Sequence, residues 1–254
     1  MKIIYRISDA GYNKVKPPYI NNGNCLINAV RVFGKENFHV IADNVSEETK
    51  RIILDCEIED KQIDYVSVGH GAGTFNLALN WALKQNDSEI IYFLENDYLH
   101  KSESENVLVE GINLGGDYVS LYDHPDKYVI ADEGGNPYVD KDGGEVTKVY
   151  LTKSSHWKLT NSTTMTFASK VSTLKEDESI LRKWTNMGHY PRDFDMFLKL
   201  KDNGRSLVTP IPGYSTHGET RWLSPLINWN DISTLVSRPT PCHTTSSPSS
   251  NIPF

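Results

Sequence analysis

The first half of the chain alternates short apolar runs with amphipathic segments, and this alternation limits the available folds more than any other feature. Apolar runs predict strands at residues 2–7, 38–42, 65–68, 90–94 and 117–122. Apolar residues at helical spacing predict helices at 24–33 and 47–54, and two more that begin near Thr74 and Ser102. Strands that alternate with helices form a parallel or mostly parallel sheet with helices on both faces. The first half therefore predicts an α/β fold.

The second half has a different pattern. Two short runs, 128–132 and 138–139, flank the sequence EGGN and predict a hairpin. Further strands and helices are predicted at 146–151, 165–168, 173–187 and 194–204. We expect a smaller antiparallel portion within one domain, residues 1–237. A Ser/Thr/Pro-rich segment, residues 238–254, follows it and is predicted to be a flexible tail.

Charge and composition narrow the kind of protein. The 254 residues carry a formal net charge of −7, which argues against nucleic acid or an anionic membrane as the main partner. No apolar run reaches the roughly 18 residues that a membrane span needs, and the N-terminal run is too short for a signal peptide. Cys25, Cys56 and Cys242 are far apart and lack the spacing of a zinc site. These features predict a cytoplasmic protein that does not span a membrane.

The apolar run at 90–94 ends abruptly in Glu95, Asn96 and Asp97. In an open α/β sheet, ligands bind beyond the carboxyl ends of the strands. Two carboxylates at such an end suit a hard cation, Mg²⁺ or Mn²⁺, that also binds substrate phosphates. The simpler interpretation of the same residues is a solvated strand end with polar turn residues.

The surrounding segment, HGAGTFNLALNWALKQNDSEIIYFLEND, resembles a stretch of nucleotide-sugar glycosyltransferases of the GT-A fold, in particular the family 2-like group. In those enzymes a glycine-containing turn opens a helix with an Ala-x-Asn step, and the next strand ends in Asp-x-Asp. Here Glu95 replaces the first Asp. The resemblance implies that Asp97 is the principal metal ligand. It also implies that these residues lie near the donor: Gly71, Asn80, Glu95 and Asn96.

A second segment, RDFDMFLKLKDNGRSLVTPIPGYSTHG, resembles a later block of the same family. Asp193 falls on the acid that acts as general base in inverting members, although Arg192 replaces the Glu that usually precedes it. The alternative is a purely structural role, in which Asp193 only caps a helix. His217 falls where many members have an additional metal ligand. The resemblance covers most of residues 1–220.

Three further residues, Asp43, Ser8 and Asp9, match less specifically. Asp43 ends the second predicted strand, where such enzymes usually hold the nucleotide base through an acid, and it could equally be an ordinary turn residue. Ser8 and Asp9 follow the first strand, in the loop that normally surrounds base and ribose.

His156 and Trp157 lie in the polar segment SSHWKLTNS, which is predicted to be a loop. They are the candidate acceptor contacts.

The resemblance implies a GT-A type (Rossmann-like) sheet with an antiparallel acceptor side, and a metal-dependent, inverting transfer. The donor would be a nucleotide-sugar, with UDP favoured, the cofactor Mn²⁺ or Mg²⁺, and the acceptor a glycan or glycoconjugate hydroxyl. A dinucleotide site is disfavoured because Thr74 and Asn76 break the G-x-G-x-x-G pattern at GHGAG. A nucleotidyltransferase should have a glycine-rich, Arg-containing loop after the first strand, and RISDAGYNKV is not one. A non-catalytic binder of carbohydrate or nucleotide-sugar stays open.

Overall fold

The structure is a computed structural model that describes residues 1–10 and 14–236, so the predicted tail at 238–254 lies outside the described residues. The strands are β1 (Lys2–Ser8), β2 (Phe38–Asp43), β3 (Ile63–Val66), β4 (Ile90–Glu95), β5 (Tyr98–His100), β6 (Tyr118–Val119), β7 (Val139–Asp140), β8 (Gly144–Glu145), β9 (Val149–Leu151), β10 (His156–Leu159), β11 (Phe167–Lys170), β12 (Leu207–Ile211) and β13 (Ser215–His217). The helices are α1 (Asn22–Phe33), α2 (Glu47–Asp55), α3 (Gly71–Ala82), α4 (Ser104–Asn113), α5 (Val171–Thr185), α6 (Asp193–Asp202) and α7 (Trp229–Val236).

A nine-stranded sheet forms the centre of the described part, in the order β3-β2-β1-β4-β11-β6-β12-β10-β9. The four strands from β3 to β4 run parallel, as the alternating pattern predicts. β11 and β10 run opposite to the other seven strands, so the sheet is mixed. The predicted α/β fold is confirmed. Two small antiparallel pairs, β5 with β13 and β7 with β8, lie outside the sheet.

Helices cover both faces of the sheet, and this explains the continuous apolar run in β4. Tyr92 and Leu94 belong to the apolar cluster on one face, and Ile91 and Phe93 belong to the cluster on the other. All four side chains are inaccessible to solvent. Successive side chains of a strand point to opposite faces, so a strand covered on both faces must be apolar throughout. None of the helices in residues 1–10 and 14–236 is long and apolar enough to cross a membrane.

Several predicted helix starts were wrong, and in one helix distant backbone groups replace the expected local cap. α3 begins at Gly71 with His70 as its N-cap, not at Thr74. α4 begins at Ser104 without a side-chain cap, so the predicted cap at Ser102 is wrong. α5 follows β11 directly, and its first N–H groups donate to the carbonyls of Glu89 and Asp87. Backbone partners from elsewhere in the fold satisfy donors that a local side chain usually satisfies.

The predicted hairpin around EGGN is also wrong. Short 3-10 turns occupy Pro125–Tyr128 and Ala131–Glu133, and the strands that pair in this region are β7 and β8. Gly134 has a φ of 85°, and a Cβ at Gly135 would lie 1.7 Å from the carbonyl oxygen of Val129. The glycines therefore allow a tight turn packed on the preceding backbone.

Candidate functional site

A cleft of about 530 Å³ opens at the carboxyl ends of β1, β2 and β4. This edge is where an open α/β sheet binds its ligands, because the loops that leave parallel strands meet there. The structure brings together at this cleft a set of residues that the sequence predicted from separate segments. They are Ser8, Asp9, Asp43, Gly71, Glu95, Asn96, Asp97 and His217.

Asp97 and His217 meet because β5 and β13 pair antiparallel, with His217 opposite Tyr98. His217 Nε2 lies 3.4 Å from Asp97 Oδ2. Lys16 Nζ lies 2.9 Å from the same oxygen, and Lys14 Nζ lies 3.1 Å from His217 Nε2. Burial raises the pKa of the Asp97 carboxyl, but His217 and Lys16 outweigh it and hold that pKa well below its usual range. Two lysines that the sequence analysis missed therefore share the predicted metal position.

The arrangement of these four residues does not fit a divalent cation. In the described ranges, no group of three or more His, Cys, Asp or Glu side chains is placed to hold a metal ion. A cation bound to Asp97 Oδ2 and His217 Nε2, with bonds of about 2 Å, would lie within about 5 Å of both lysine ammonium groups. Like charges at that separation repel, and most strongly where water is excluded. The predicted pair of metal ligands is thus present but already engaged with lysines.

Glu95 is held by a buried arginine. Arg6 is opposite Glu95 in the register between β1 and β4, and Nη2 of Arg6 lies 3.1 Å from Oε1 of Glu95. The same guanidinium donates to the carbonyls of Gly71 and Met165, and its side chain is 5% exposed. Glutamate is long enough to reach this guanidinium from the end of β4. Arg6 was missed, although a charged residue inside the apolar run IIYRIS was a signal for it.

Ser8, Asp9 and Asn96 belong to one hydrogen-bond network on the rim of the cleft. The Asn96 amide donates to the Ser8 carbonyl at 3.1 Å and to the side chain of Asn22. Asp9 accepts from the Thr49 hydroxyl at 2.6 Å and from the backbone N–H of the N-cap of α2. Burial raises the pKa of Asp9, but these hydrogen bonds outweigh it and lower that pKa. The network fixes the loop after β1 against the starts of α1 and α2.

Asp43 is buried and accepts backbone hydrogen bonds from the loop after β3. Its Oδ1 accepts from Val68 at 2.7 Å, and its Oδ2 accepts from Gly69 at 2.9 Å. These bonds bend the chain away from β3, which explains why the strand ends at Val66 and not at residue 68 as predicted. Gly69 has a φ of 80°, a conformation that glycine adopts without strain. Asp43 therefore shapes the cleft wall in addition to lining it.

The first turn of α3 faces the cleft. His70 Nδ1 accepts from the Gly73 N–H at 3.0 Å and so caps the helix. His189 stacks edge-on against His70, with ring centroids 4.8 Å apart, and its carbonyl accepts from Ala72. His70, His189 and Tyr190 all line the cleft, and none was a predicted site residue. The cap gives His70 a structural role at the start of α3.

Asp193 is the first residue of α6 and is not among the residues that line the cleft, but the charges of two lining residues, Glu95 and Lys14, act on its carboxyl. Burial raises the pKa of its carboxyl to about 6, opposed by a hydrogen bond from the Phe194 N–H and by Lys14, and supported by the nearby charge of Glu95. A helix dipole favours an ionised carboxylate at this position, and burial outweighs that effect. A carboxyl that titrates near neutral pH is suited to accept a proton.

Three predicted residues lie away from the cleft, which corrects their assignment. Asn80 is exposed on α3, where its side chain accepts from Arg182 at 2.7 Å. His156 and Trp157 are in strand β10 and not in a loop, and β10 is separated from β4 by β11, β6 and β12. That separation is roughly 19 Å at the usual strand spacing. Trp157 is inaccessible to solvent, so it is a core residue and cannot contact an acceptor.

The fold is similar to that of a known glycosyltransferase. The crystal structure of GalNAc-T7 with UDP, GalNAc and Mn²⁺, a GT-A enzyme, superposes with a TM-score of 0.53 and 12% identity. The match covers 97% of this chain and 46% of that one. At this identity the likeness shows the GT-A-like fold and no more.

A second match has too low a score to bear on the fold. The bifunctional IspDF from Campylobacter jejuni gives a TM-score of 0.39 and 12% identity over 82% of this chain and 48% of that one. The chain thus spans about half the length of these two proteins. The sequence matches no protein-family model and no curated protein.

Proposed function

We propose that the chain is a glycosyltransferase that moves a sugar from a nucleotide-sugar, with a UDP-sugar favoured, to a hydroxyl of a glycan or glycoconjugate. One observation carries this proposal. Predicted donor residues from separate parts of the sequence line a single cleft at the carboxyl ends of parallel strands in a GT-A-like fold. In this proposal the nucleotide lies over β1 and β2, with its base and ribose near Ser8, Asp9 and Asp43. The diphosphate lies toward Asp97.

Asp193 is proposed as the general base. It takes the proton of the acceptor hydroxyl while that oxygen bonds to the anomeric carbon, and the bond from that carbon to the diphosphate oxygen breaks. Attack from the face opposite the leaving group inverts the configuration. Its position beside Glu95 and Lys14, both of which line the cleft, supports this role. The acceptor would enter past His217, where the rings of Tyr122, His124 and Trp222 form a continuous series.

A non-catalytic nucleotide-sugar binder is the second candidate, and a specific observation favours it. Asp193 follows the N-cap Arg192 as the first residue of α6, and it accepts from the N–H of Phe194, so it has a structural role as an acid in a first helical turn. Arg192, which replaces the expected acid, pairs with Asp195 at 2.7 Å. The binder would share the cleft and lack turnover.

Donor binding followed by turnover tests the proposal. UDP, GDP and dTDP would be titrated by calorimetry, each with Mn²⁺, with Mg²⁺ and with EDTA. The requirement for Mn²⁺ or Mg²⁺ is a prediction, and comparing the titrations with metal and with EDTA tests it. A nucleotide that binds then selects the nucleotide-sugars for assays of release and transfer, with the anomer of the product read by NMR. Binding without turnover would favour the binder, and no binding of any nucleotide would contradict both candidates.

The compartment is proposed to be the cytoplasm. Cys25 and Cys56, the two cysteines in the described ranges, are free thiols. Burial raises the pKa of the Cys25 thiol, which makes it a poor nucleophile and a poor partner in disulfide exchange. The thiols are consistent with a reducing compartment.

A further inference from the structure

Two lysines reach the cleft from the irregular segment that precedes α1. Lys16 Nζ lies 2.9 Å from Asp97 Oδ2, and Lys14 Nζ lies 3.1 Å from His217 Nε2. Both lysines line the cleft. Their ammonium groups occupy the region where the sequence predicted a divalent cation.

This lysine segment is held in place by the chain two hundred residues later. The Val15 carbonyl, between the two lysines, accepts from both the backbone N–H and the hydroxyl of Thr220, each at 2.9 Å. Pro17 and Pro18 follow and restrict the backbone. A Cβ at Gly218 would lie 2.3 Å from Ile20 and 2.9 Å from the Asp97 carbonyl, so only glycine allows this approach. The backbone that carries both lysines is therefore held by contacts with a distant part of the chain.

The four carboxylates that line the cleft are already engaged by donors of the protein. Glu95 is paired with Arg6, Asp43 accepts from backbone N–H groups, and Asp9 is bound to the start of α2. Asp97 is paired with Lys16. The lone pairs of these carboxylates are largely taken by donors, so few are left to bind a metal ion at the diphosphate. A diphosphate is a dense anion that lysine binds as a point charge.

We propose that Lys14 and Lys16 bind the diphosphate of the donor in place of a divalent cation, and that this protein binds nucleoside diphosphates without metal. The inference rests on the function proposed above. In it, the two ammonium groups neutralise the charge that builds on the departing diphosphate as the bond to the sugar breaks. Asp97 is a positioning residue that holds Lys16, and His217 does the same for Lys14.

The two explanations of Asp97 predict opposite results for one variant. If Asp97 were the metal ligand, Asp97→Asn would abolish binding of UDP. If Asp97 only positions Lys16, Asp97→Asn keeps a side-chain oxygen that accepts from Lys16 and removes a negative charge from the diphosphate site, so binding in EDTA persists with equal or higher affinity. Calorimetric titration of UDP into each protein, in EDTA and in Mn²⁺, separates these outcomes. GDP and dTDP replace UDP if UDP does not bind.

Lysine variants give the second half of the test. Lys16→Met and Lys14→Met should each weaken UDP binding in EDTA by about 10- to 100-fold, the usual effect of losing a charged hydrogen bond. Lys16→Arg keeps the charge and should keep binding. Lys175→Met is the matched control, because Lys175 pairs with Asp87 on the surface of α5 and its loss changes the net charge equally. Thermal unfolding of each variant checks that it is folded.

The outcomes distinguish this inference from the function on which it rests. UDP binding in EDTA that falls in Lys16→Met and survives in Asp97→Asn supports the inference. Binding that needs Mn²⁺ and disappears in Asp97→Asn overturns it and leaves the glycosyltransferase proposal intact. Absence of binding by every nucleoside diphosphate, with and without metal, overturns both. UDP binding in EDTA that is unchanged in both Lys16→Met and Lys14→Met also overturns the inference.

Discussion

At the scale of single residues, burial decides what the carboxylates of this protein can do. Asp193 is partly buried beside Glu95, and the pKa of its carboxyl rises from 3.8 to about 6. Asp97 is also buried, yet His217 and Lys16 keep the pKa of its carboxyl low. The two acids thus differ in their proton affinity because of their neighbours. One is suited to exchange a proton near neutral pH and the other to remain a fixed charge.

Asp193→Asn should abolish transfer and leave donor binding intact, because the amide cannot accept the acceptor's proton. A loss of about 10²- to 10⁴-fold in kcat is expected. In the wild type, kcat/KM should rise tenfold per pH unit below about 6 and level off above it, since the base must be ionised. Steady-state assays across pH measure both effects. Asp195→Asn, two residues further along α6, is the matched control and should keep activity.

Asp193→Asn should also be more stable than the wild type at neutral pH. The folded-state pKa of Asp193 lies above its unfolded value, so the native state binds the proton more tightly, and its stability falls as pH rises from about 4 to about 6. Above that window the charged carboxylate destabilises the fold, by about 1 to 2 kcal/mol after allowance for its partial exposure. Urea denaturation at pH 7.5 and at pH 4 measures the difference. Equal stability of the two proteins at both pH values would contradict the raised pKa.

Arg6→Met should destabilise the protein by about 3 kcal/mol. The change leaves the Glu95 carboxylate without its partner and removes donors to the carbonyls of Gly71 and Met165. Arg6→Met with Glu95→Gln should recover part of that loss, because no charge is then left unpaired. A double-mutant cycle from urea denaturation measures the coupling. Simple additivity of the two changes would show that the pair does not interact.

At the scale of elements, the failures of sequence prediction are as informative as its successes. Apolar and polar residues do not alternate regularly along β10. Lys158 is buried next to Trp157 and pairs with the buried Asp123 at 3.0 Å. Lys127, also buried, donates to the side chains of Asn161 and Ser162. A strand that contains a buried lysine paired with a carboxylate looks, in the sequence, like a polar loop. No local pattern reveals partners that lie 30 or more residues away in the chain.

Gly111→Ala tests the packing of α4 on the sheet. A Cβ at Gly111 would lie 2.7 Å from both Trp157 and Val119, so α4 or the indole must move. We expect a loss of about 1 to 3 kcal/mol from overpacking, although alanine favours a helix over glycine by about 1 kcal/mol. Gly144→Ala in β8 is the matched control, with no atom within 4 Å of its Cβ, and should change stability by no more than about 0.5 kcal/mol. Thermal or urea unfolding compares the two, and greater stability of Gly111→Ala would refute the overpacking.

At the scale of the whole molecule, the acidic part of the cleft could be predicted because the topology of a parallel sheet places it. Asp43 and Asp97 follow strands whose carboxyl ends share one edge, so sequence position alone indicates that they meet. Lys14 and Lys16 could not be found in this way. They belong to an irregular segment whose position depends on Thr220 and Gly218, far along the chain. Regular elements are specified locally, and the placement of a loop is specified by whatever it contacts.

The order of the strands in the sheet differs from their order in the sequence, and this affects how the protein folds during synthesis. β4, complete at Glu95, gains its second neighbour only when Phe167–Lys170 has been synthesised as β11. At usual translation rates that interval lasts roughly 4 to 15 s. During it, an apolar strand that is fully enclosed in the finished fold is an open edge on a nascent chain, and such edges pair readily with other chains. The protein should therefore need a chaperone on the ribosome more than its modest size suggests, and a chain truncated before residue 167 should aggregate.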